Sequence, residues 1–580
     1  MLSLPLYVNS AASSSPVPGD SARPFPSLEQ ALAFAFSQGS GELVLQPSAT
    51  SYSFPATPLP IPLTIANADC SLSLAGPVQV LAYLAISGGI VTGVKTIPSL
   101  FQVPATSLGP GQLTLTNVTV TGVDCVFIGV AGGTVSLLSS LFQANTESIV
   151  VVAAVGGLVS VQKCVFQKSK ASAGIILGIA AGTTISLSGC TFNEVQVGQG
   201  GVVQLTPSDQ GAPSSLTISD TGFATSTSAA IISTVPVSIQ GCTFTALAQA
   251  VVSPGLPSLL VSDCTFQYVG TCIAAQSVSN LTILRTGFTN SAVGVVGAGR
   301  GGDAVARIED CQFWGNANNV AYSPGVTLQG FSNVTIRGTR FEDNYSEAPP
   351  NLYIVQCPAV LLASLRIRRT VAPSAAGFSL VSSTVLLSSS HLSYLRSLSP
   401  MSLGYASILH FVDSVIEHMD GLDSNIVTGE VNTLEADNTT FRNLTCTKQI
   451  FQVHSFLTDL FFRNCTFEDV LAKSLLDEEP VRLIFRGCTL NFTARSASMV
   501  MVYTTISDFY LQDCVITGAL RLILDVYSTG FVRAYFLNVT FADLELDGLV
   551  MSISTSIYIQ NCVFRNVTVA NFHRYFLLLS

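Results

Sequence analysis

The chain has 580 residues, of which 48% are hydrophobic and only 10% are charged, and its formal net charge is −10. This acidic balance disfavours nucleic acid as a partner, because phosphate recognition needs clustered basic residues. The apolar runs are all shorter than the ~20 residues of a membrane-spanning helix, so no transmembrane segment is expected.

The first 60 residues differ from the rest, because a Pro- and Gly-rich loop there is followed by one helical pattern. Leu28, Ala31 and Leu32 recur at helical spacing, and Gly39 marks the end of the helix. A short helix in front of a long β array is typical of a cap, which covers the apolar end of the first repeat. We therefore predict an N-terminal capping helix within residues 1–60 and a repeat array at residues 61–580.

A four-residue phrase recurs through most of the array. It consists of Gly, Asp or Asn, then a small residue, a variable residue and Phe; clear examples are residues 241–244, 263–266, 310–313, 464–467 and 561–564. Its last apolar residue returns every 21 to 31 residues. Such a period, with several short β segments per unit, is typical of a parallel β-helix, here of about 20 coils. Leucine-rich and helical repeats are disfavoured, because their sequence patterns are missing.

The phrase predicts one sharp bend and one buried row per coil. Gly, Asp and Asn enter the left-handed backbone region at low cost, so the first residue is predicted to turn the chain between two strands. These bend positions are Gly189, Gly241, Asp263, Asp310, Asn464, Gly487, Asp513 and Asn561. Side chains alternate along a strand, so the Cys and Phe of one phrase share the inward face, and the Phe rings are predicted to stack along the core.

The 14 cysteines do not follow a disulfide or metal pattern. Nine of them take the small position of the phrase: Cys164, Cys190, Cys242, Cys264, Cys311, Cys465, Cys488, Cys514 and Cys562. Ser140 and Thr221 take the same position in other coils, which favours small buried side chains over bonded pairs. Cys-x-x-Cys pairs are missing, so no metal and no cofactor is predicted. Cys264 and Cys272 are the pair to test for a disulfide.

Ten Asn-x-Ser/Thr sequons occur, at Asn117, Asn280, Asn333, Asn344, Asn438, Asn443, Asn464, Asn491, Asn538 and Asn566. Their density predicts a secreted or cell-surface glycoprotein. The alternative is that the repeat itself creates sequons, as at Asn464, which occupies the bend position. The first residues lack the basic and apolar regions of a signal peptide, so either the protein is cytosolic or its true start lies upstream.

Catalytic residues are not evident. Polysaccharide-cleaving sites need clustered acids, and the adjacent acids at 309–310, 342–343 and 477–479 fall on predicted bends or loops. A weak candidate lies where the repeat is least regular. Its acids are Asp413, Glu417, Asp420 and Asp423, and the histidines beside them are His410 and His418.

One basic cluster interrupts the otherwise acidic chain. Arg366, Arg368 and Arg369 lie within four residues of one another. Short charge runs of this kind are usually solvated, so the cluster is interpreted as a strand face or a turn.

The array resembles the pectin-lyase-like right-handed parallel β-helix superfamily over nearly the whole chain. Within it, the chain looks closest to polymorphic outer membrane protein-like repeats, which carry Phe-x-x-Asn and Gly-Gly-Ala-Ile units. Residues 142–145, 313–316 and 341–344 match the first unit, and residues 200–203 and 301–304 approximate the second. The resemblance implies a right-handed coil and a surface or secreted adhesin-like protein. Motifs of polygalacturonases and pectate lyases are missing, so it supplies no catalytic residue.

The leading hypothesis is a non-catalytic extracellular or cell-surface β-helix that binds a glycan or a cell-surface protein. A polysaccharide lyase or glycoside hydrolase acting on acidic polysaccharide is the first alternative, and a structural spacer is the second. Acids converging on one exposed sheet would favour the enzyme, and exposed aromatic residues or loop excursions would favour binding. The long steps at residues 198–215 and 314–330 are the expected places for such excursions.

Overall fold

The computed structural model is an all-β parallel solenoid of about 18 turns with 2% helix, as the period predicts. No helix in the described part of the chain is long and apolar enough to cross a membrane. The structure describes residues 5–9, 12, 24–39, 41–46, 51–67, 70–93, 99–106, 109–154, 156–207, 212–255, 257–318, 324–347, 351–381, 383–422, 425–453, 459–477, 482–493, 498–502, 508–526, 532–551 and 555–569.

The predicted N-terminal helix spans Leu28–Gln38. Its N-cap Ser27 accepts a hydrogen bond from the backbone N–H of Gln30 at 3.2 Å, which satisfies one of the free donors of the first turn. Gly39 ends the helix in the left-handed conformation with φ of 72°. The buried face repeats at helical spacing and comprises Leu28, Ala31, Leu32 and Ala35.

Within each of the two compact units given below, each full coil contributes a strand to each of three parallel sheets, which we number in chain order. Strands of the first sheet are Leu6–Val8, Gly41–Leu45, Leu63–Asn67, Tyr83–Ser87, Gln112–Thr116, Thr134–Leu138, Leu158–Gln162, Thr184–Ser188, Ser215–Ser219, Val237–Gln240, Ser258–Ser262, Asn280–Leu284, Val305–Glu309, Asn333–Arg337, Ala359–Ala363, Thr384–Ser388, Asp459–Arg463, Arg482–Arg486, Asp508–Gln512, Val532–Leu537 and Thr555–Gln560. Strands of the second sheet are Tyr52–Phe54, Ser71–Leu74, Ile90–Gly93, Thr119–Thr121, Leu141–Gln143, Val165–Gln167, Thr191–Asn193, Thr265–Gln267, Gly287–Thr289, Gln312–Trp314, Arg340–Glu342, Val415–Gly421, Thr440–Cys446, Thr466–Leu471, Thr489–Phe492 and Val563–Val569.

The third sheet completes the coil. Its strands are Pro58–Leu59, Val78–Val80, Ser99–Thr106, Val126–Ala131, Val150–Ala154, Ile176–Gly178, Gly201–Leu205, Thr271–Val278, Val293–Gly299, Val326–Gln329, Leu352–Val355, Gln449–Val453, Ser474–Asp477 and Ser498–Val502. Longer strands that run from one sheet into the next are Gly222–Ser233, Thr243–Pro254, Arg366–Val381, His391–Val412, Val427–Asp437, Val515–Val526 and Thr540–Met551. Short additional strands are Gly109–Pro110, Lys170–Ala171, Gln196–Val197, Ala317–Asn318 and Tyr345–Ser346.

The chain divides into two compact units, residues 1–275 and 276–580. In the first unit, Gly41–Leu45 already pairs in register with Leu63–Asn67. Coil stacking therefore begins inside the segment that the sequence assigns to the cap, and the boundary at residue 60 stays a prediction.

The predicted bend is confirmed at all eight positions, each of which has a positive φ between 50° and 65°. Cys, Ser and Thr interchange at the small position directly after this bend because each of them can make the same hydrogen bond. Its side chain donates a hydrogen bond to the carbonyl two residues earlier, as Cys311 does to Glu309 at 3.2 Å and Ser140 does to Leu138 at 3.0 Å. A thiol or a hydroxyl therefore satisfies the last carbonyl before the bend.

None of the 14 cysteines forms a disulfide, so the pair to test, Cys264 and Cys272, is not bonded. Thirteen are buried and Cys562 is half-buried. Burial raises the pKa of the thiols of Cys164 and Cys311 to about 12. The cysteines are therefore core side chains, as their interchange with Ser and Thr predicts.

The phenylalanine stack is confirmed within each unit. In the first unit, Phe142, Phe166, Phe192, Phe223, Phe244 and Phe266 stack with ring centroids 4.6–5.2 Å apart and planes within 7°. In the second, Phe288, Phe313 and Phe341 stack at 4.5 and 4.8 Å. Burying each ring contributes about 1.5–3 kcal/mol relative to exposure, so the repeat rather than any one residue stabilises the fold.

A second left-handed bend, which the sequence does not predict, separates the second sheet from the third. It follows the Phe of the phrase by two residues and is occupied by very different residue types: Ala144, Lys168, Glu194, Thr225, Ala246, Tyr268, Asn290, Gly315, Asp343, Arg369, Tyr394, His418, Asn443, Asp469, Asp543 and Asn566. The side chain at this bend points outward, and the next residue returns to the core. This bend therefore exposes one chemically variable residue per coil.

The Phe-x-x-Asn units place an asparagine in the core directly after the second bend. Asn316 and Asn344 are at most 1% exposed. The Oδ1 of Asn344 accepts from the backbone N–H of Asn316 at 2.9 Å, and its Nδ2 donates to the carbonyl of Phe313 at 3.2 Å. Each amide thus satisfies backbone groups of the preceding coil.

Candidate functional site

The charged residues are concentrated in the second unit. Residues 276–580 carry 20 of the 25 Lys and Arg residues and 25 of the 35 Asp and Glu residues. Cavities lined by described residues of the first unit include an apolar one of about 560 Å³ beside Val103 and Val130, and one of about 400 Å³ lined mainly by polar residues, beside Lys168 and Lys170. Charge-based recognition is therefore expected mainly in residues 276–580.

The predicted acidic candidates do not form one site. Asp413 occupies the first bend with φ of 50° and accepts a hydrogen bond from Asn438 Nδ2 at 3.1 Å. Glu417 lies on the second sheet, and Asp420 follows the second bend, where it is 3.5 Å from Arg396. The three acids thus occupy three different positions of one coil, each with its own partner.

Glu417 belongs to an ion-pair group rather than to a carboxylate pair. It is 6% exposed and lies 2.7 Å from His391 Nε2, and Arg442 binds its other oxygen. Burial raises the pKa of Glu417, but the hydrogen bonds from Arg442 and His391 outweigh burial, so the pKa is lowered. A carboxylate held ionised in this way is poorly suited to donate a proton.

The two candidate histidines are also separated. His418 occupies the second bend, where its ring stacks on Tyr394 with centroids 4.5 Å apart. His410 lies in the first sheet, beside Glu435. Asp423, Glu478 and Glu479 lie outside the described residues, as do parts of the two long steps.

The basic cluster is part of a larger cationic surface. Arg340, Arg366 and His391 follow one another in register on successive strands of the second sheet. Arg366 lies 3.6 Å from Glu342, whereas Arg340 has no ion-pair partner among the described residues. Arg366 and Arg368 point outward from a strand and Arg369 occupies the second bend, which confirms the interpretation as strand face and turn.

Like charges placed directly opposite each other on neighbouring strands are destabilising. The row formed by Arg340 and Arg366 therefore has a cost in the isolated chain that a bound anion would remove. We call the surface formed by Arg340, Arg366, Arg368 and Arg369 the arginine edge.

Two exposed aromatic side chains flank the arginine edge. Trp314 is 43% exposed and donates from Nε1 to Asp343 Oδ2 at 3.0 Å. Tyr394 is 47% exposed, and the guanidinium of Arg368 lies 5.9 Å from its ring centroid. Arg369 pairs with Asp343 and lowers the pKa of that carboxyl. The surface thus combines aromatic faces with guanidinium groups over several coils.

A second group of titratable residues, whose members are far apart in the sequence, lies on the first sheet. His410 Nε2 is 2.7 Å from Asp437 Oδ2 and 3.9 Å from Glu435 Oε2. Arg463, from the next coil, lies 3.4 Å from Asp437 and 3.7 Å from Glu435. Counting back from the first bend would have found the group, because His410 and Glu435 each lie three residues before it.

The predicted sequons differ in accessibility. Asn344 is 1% exposed with its amide hydrogen-bonded, so a glycan on Asn344 is incompatible with this fold. Asn464 has the left-handed conformation that its bend position predicts, with φ of 50°. The other sequon asparagines are exposed or half-buried: Asn117, Asn280, Asn333, Asn438, Asn443, Asn491, Asn538 and Asn566. Glycosylation of these exposed sites stays a prediction.

Comparison with known proteins leaves the family open. No protein-family model and no curated protein sequence matches the chain. Among solved structures, a PL6 family alginate lyase aligns over 92% of this chain and 99% of its own length, with 8% identity and a TM-score of 0.34.

A tailspike protein of bacteriophage CBA120 aligns over 97% of this chain and 61% of its own, with 8% identity and a TM-score of 0.18. PfbA, a surface adhesin of Streptococcus pneumoniae, aligns over 83% and 85%, with 9% identity and a TM-score of 0.17. These similarities are too low to carry a functional argument, and the resemblance to polymorphic outer membrane protein-like repeats stays a prediction.

Proposed function

We propose that the chain is a non-catalytic, extracellular β-helix protein that binds an acidic polysaccharide along the arginine edge. The observation that carries this proposal is the in-register row of Arg340 and Arg366, which puts two guanidinium groups side by side on a protein of net charge −10. A polyanion would neutralise this row, and the protein itself supplies one contact of 3.6 Å from Glu342 to Arg366.

The chemistry of the arginine edge suits carboxylate or sulfate groups. A guanidinium presents a planar fork of donors that matches a carboxylate in two parallel hydrogen bonds. Successive coils are about 4.8 Å apart, so outward side chains of the second sheet repeat at this spacing, and a polymer with repeated charged groups can contact more than one of them.

The aromatic flank supports a sugar rather than a simple polyanion. Trp314 is 43% exposed. Tyr394 is 47% exposed, although His418 stacks on its ring and Arg368 lies 5.9 Å from the ring centroid. Aromatic rings pack against apolar faces of ligands, while the indole N–H and the phenol O–H supply a polar end. A polymer with both apolar ring faces and acidic substituents fits this combination better than an inorganic polyphosphate.

The test is binding of the full chain to polygalacturonate and to a neutral glucan by isothermal titration calorimetry. Exposed charge contacts contribute roughly 0.2–1 kcal/mol each, so the double variant Arg340→Ala/Arg366→Ala is expected to lose about two- to thirtyfold in affinity. The control is Arg300→Ala/Arg337→Ala, which removes the same charge from exposed positions outside the arginine edge. Higher salt should weaken binding of the wild type, because exposed charges are screened.

Several results would overturn the proposal. Equal binding of the neutral glucan, equal losses in the two double variants, or tighter binding of single-stranded DNA than of polyuronate would each contradict it. Release of shortened oligosaccharides from polygalacturonate would replace it with the enzymatic alternative. That alternative rests on the group of His410, Glu435 and Asp437, so loss of product release in Asp437→Asn would support it.

A further inference from the structure

We propose that His410, Glu435 and Asp437 form a binding site for a divalent transition-metal ion on the first sheet of residues 276–580. The three side chains each offer one ligand atom, and these atoms all lie within 4.8 Å of one another. The site is on a different sheet from the arginine edge, so it stands or falls independently of the proposed function.

The register of the solenoid assembles the three ligands. His410 lies directly opposite Glu435 on the neighbouring strand. Glu435 and Asp437 are two residues apart, so their side chains leave the same face of that strand. Strands pair on both sides of this position, with Leu386 opposite His410 and Phe461 opposite Glu435. The backbone that carries the ligands is therefore held at fixed spacing before any ion binds.

The ligand set selects the class of ion. One imidazole and two carboxylates suit borderline ions such as Zn²⁺, whereas Ca²⁺ and Mg²⁺ favour sites made only of oxygen. The side chains of His410, Glu435 and Asp437 are 33%, 28% and 22% exposed. They are therefore open enough for an ion to enter, and an additional ligand position can be filled by water.

Arg463 acts as the counter-ion of the two carboxylates. Its guanidinium lies 3.4 Å from Asp437 and 3.7 Å from Glu435, so it opposes repulsion between them. An incoming cation competes with this guanidinium. Arg463 is 47% exposed, and its guanidinium is already 5.7 Å from the ring of Phe461, so it can turn to solvent and keep the aromatic contact.

A matched control exists on the second sheet. His391, Glu417 and Arg442 form a group of similar residue types, with His391 Nε2 2.7 Å from Glu417. This group contains one carboxylate instead of two. If a histidine beside a carboxylate and an arginine were sufficient for metal binding, both groups would bind; the proposal requires that only the first does.

The experiment measures Zn²⁺ binding to the full-length chain by equilibrium dialysis. The wild type is expected to bind about one ion at this site, and His410→Gln and Asp437→Asn are each expected to lose at least about tenfold in affinity, since even outer-shell changes cost that much. His391→Gln should bind as the wild type does. Arg463→Gln should bind more tightly, because the competing cation is removed.

Co²⁺ absorption identifies the ligand type. The proposal expects a spectrum without thiolate charge-transfer bands, because all 14 cysteines are buried or half-buried core thiols. Circular dichroism establishes that each variant is folded, and Glu435→Gln provides a third size-matched variant if one of the others misfolds. No stoichiometric Zn²⁺ on the wild type, equal loss in His391→Gln, weaker binding in Arg463→Gln, or thiolate bands with Co²⁺ would each overturn the assignment.

Discussion

The buried asparagine stack gives the sharpest test of how this solenoid is held together. Asn344→Leu replaces the amide with an apolar side chain of similar size. In the wild type, the amide of Asn344 satisfies the N–H of Asn316 and the carbonyl of Phe313, at 2.9 and 3.2 Å. The variant leaves both backbone groups buried without these partners.

The expected cost follows from these two groups. A buried backbone donor or acceptor that loses its partner costs about 1–3 kcal/mol, and the newly buried Leu returns part of that loss. A net local destabilisation of about 2–4 kcal/mol is therefore expected. At about 1.4 kcal/mol per factor of ten, the coils around residues 288–344 should open roughly 30- to 700-fold more often.

Hydrogen exchange followed by mass spectrometry measures this local opening directly. It is the appropriate assay, because a repeat array does not unfold as one unit. The control is Asn333→Leu, which changes an exposed asparagine on a strand of the same unit. If peptides covering Asn316 exchange at the same rate in both variants, the amide stack contributes no stability and the reasoning is wrong.

Two further predictions concern buried ionisable groups. The pKa of Glu417 is lowered in the fold, so its ion pairs stabilise the chain above the ordinary value of 4.5 and are lost as the pH falls through the lowered pKa. The thermal midpoint of the wild type should therefore exceed that of Glu417→Gln at pH 7, and the difference should shrink below pH 4.5; a difference independent of pH would contradict this assignment. Ellman's reagent should label at most Cys562 in the native chain and all 14 thiols after denaturation, because the other thirteen cysteines are buried. Rapid labelling of several thiols in the native chain would show that these cysteines are not buried in the core.

The first bend and the phenylalanine stack were predictable because their residue types carry the signal. Asp263 and Asn561 belong to the few residue types that tolerate the left-handed region, and both are found there, with φ of 56° and 55°. Phe recurs two residues after the small position, and alternation then assigns it to the core. Sequence alone was sufficient here, because the local preference and the packing requirement agree.

The second bend could not be predicted, because its residues have no shared local preference. Ala144, Glu194 and Arg369 adopt φ near 52° although such residues rarely do so alone. The stacked coils on either side impose this conformation, and a single sequence does not display such a constraint. The Phe-x-x-Asn motif identifies the second bend only in those coils where the residue directly after the bend is asparagine.

The sequence also did not predict which candidate side chains lie close together. Asp413, Glu417 and Asp420 are close in sequence, but alternation and the two bends send them to different parts of the coil. His410 and Asp437 are 27 residues apart and in hydrogen-bond contact. In a solenoid, residues in contact are often one coil apart in the sequence. A search for side-chain groups should therefore compare residues of successive coils that lie at the same distance from the first bend.

Not every row of charged residues on such a fold implies a ligand. A row whose signs alternate from coil to coil is neutralised within the protein, whereas a row of one sign is not. On the first sheet, Asp459, Arg482, Asp508 and Arg533 follow one another in register. Their signs alternate, with ion pairs of 2.5 Å between Asp459 and Arg482 and 2.7 Å between Asp508 and Arg533. This row neutralises itself and needs no partner. The row from Arg340 to Arg366 instead repeats one sign, and Arg340 has no ion-pair partner among the described residues, so we assign recognition to this row.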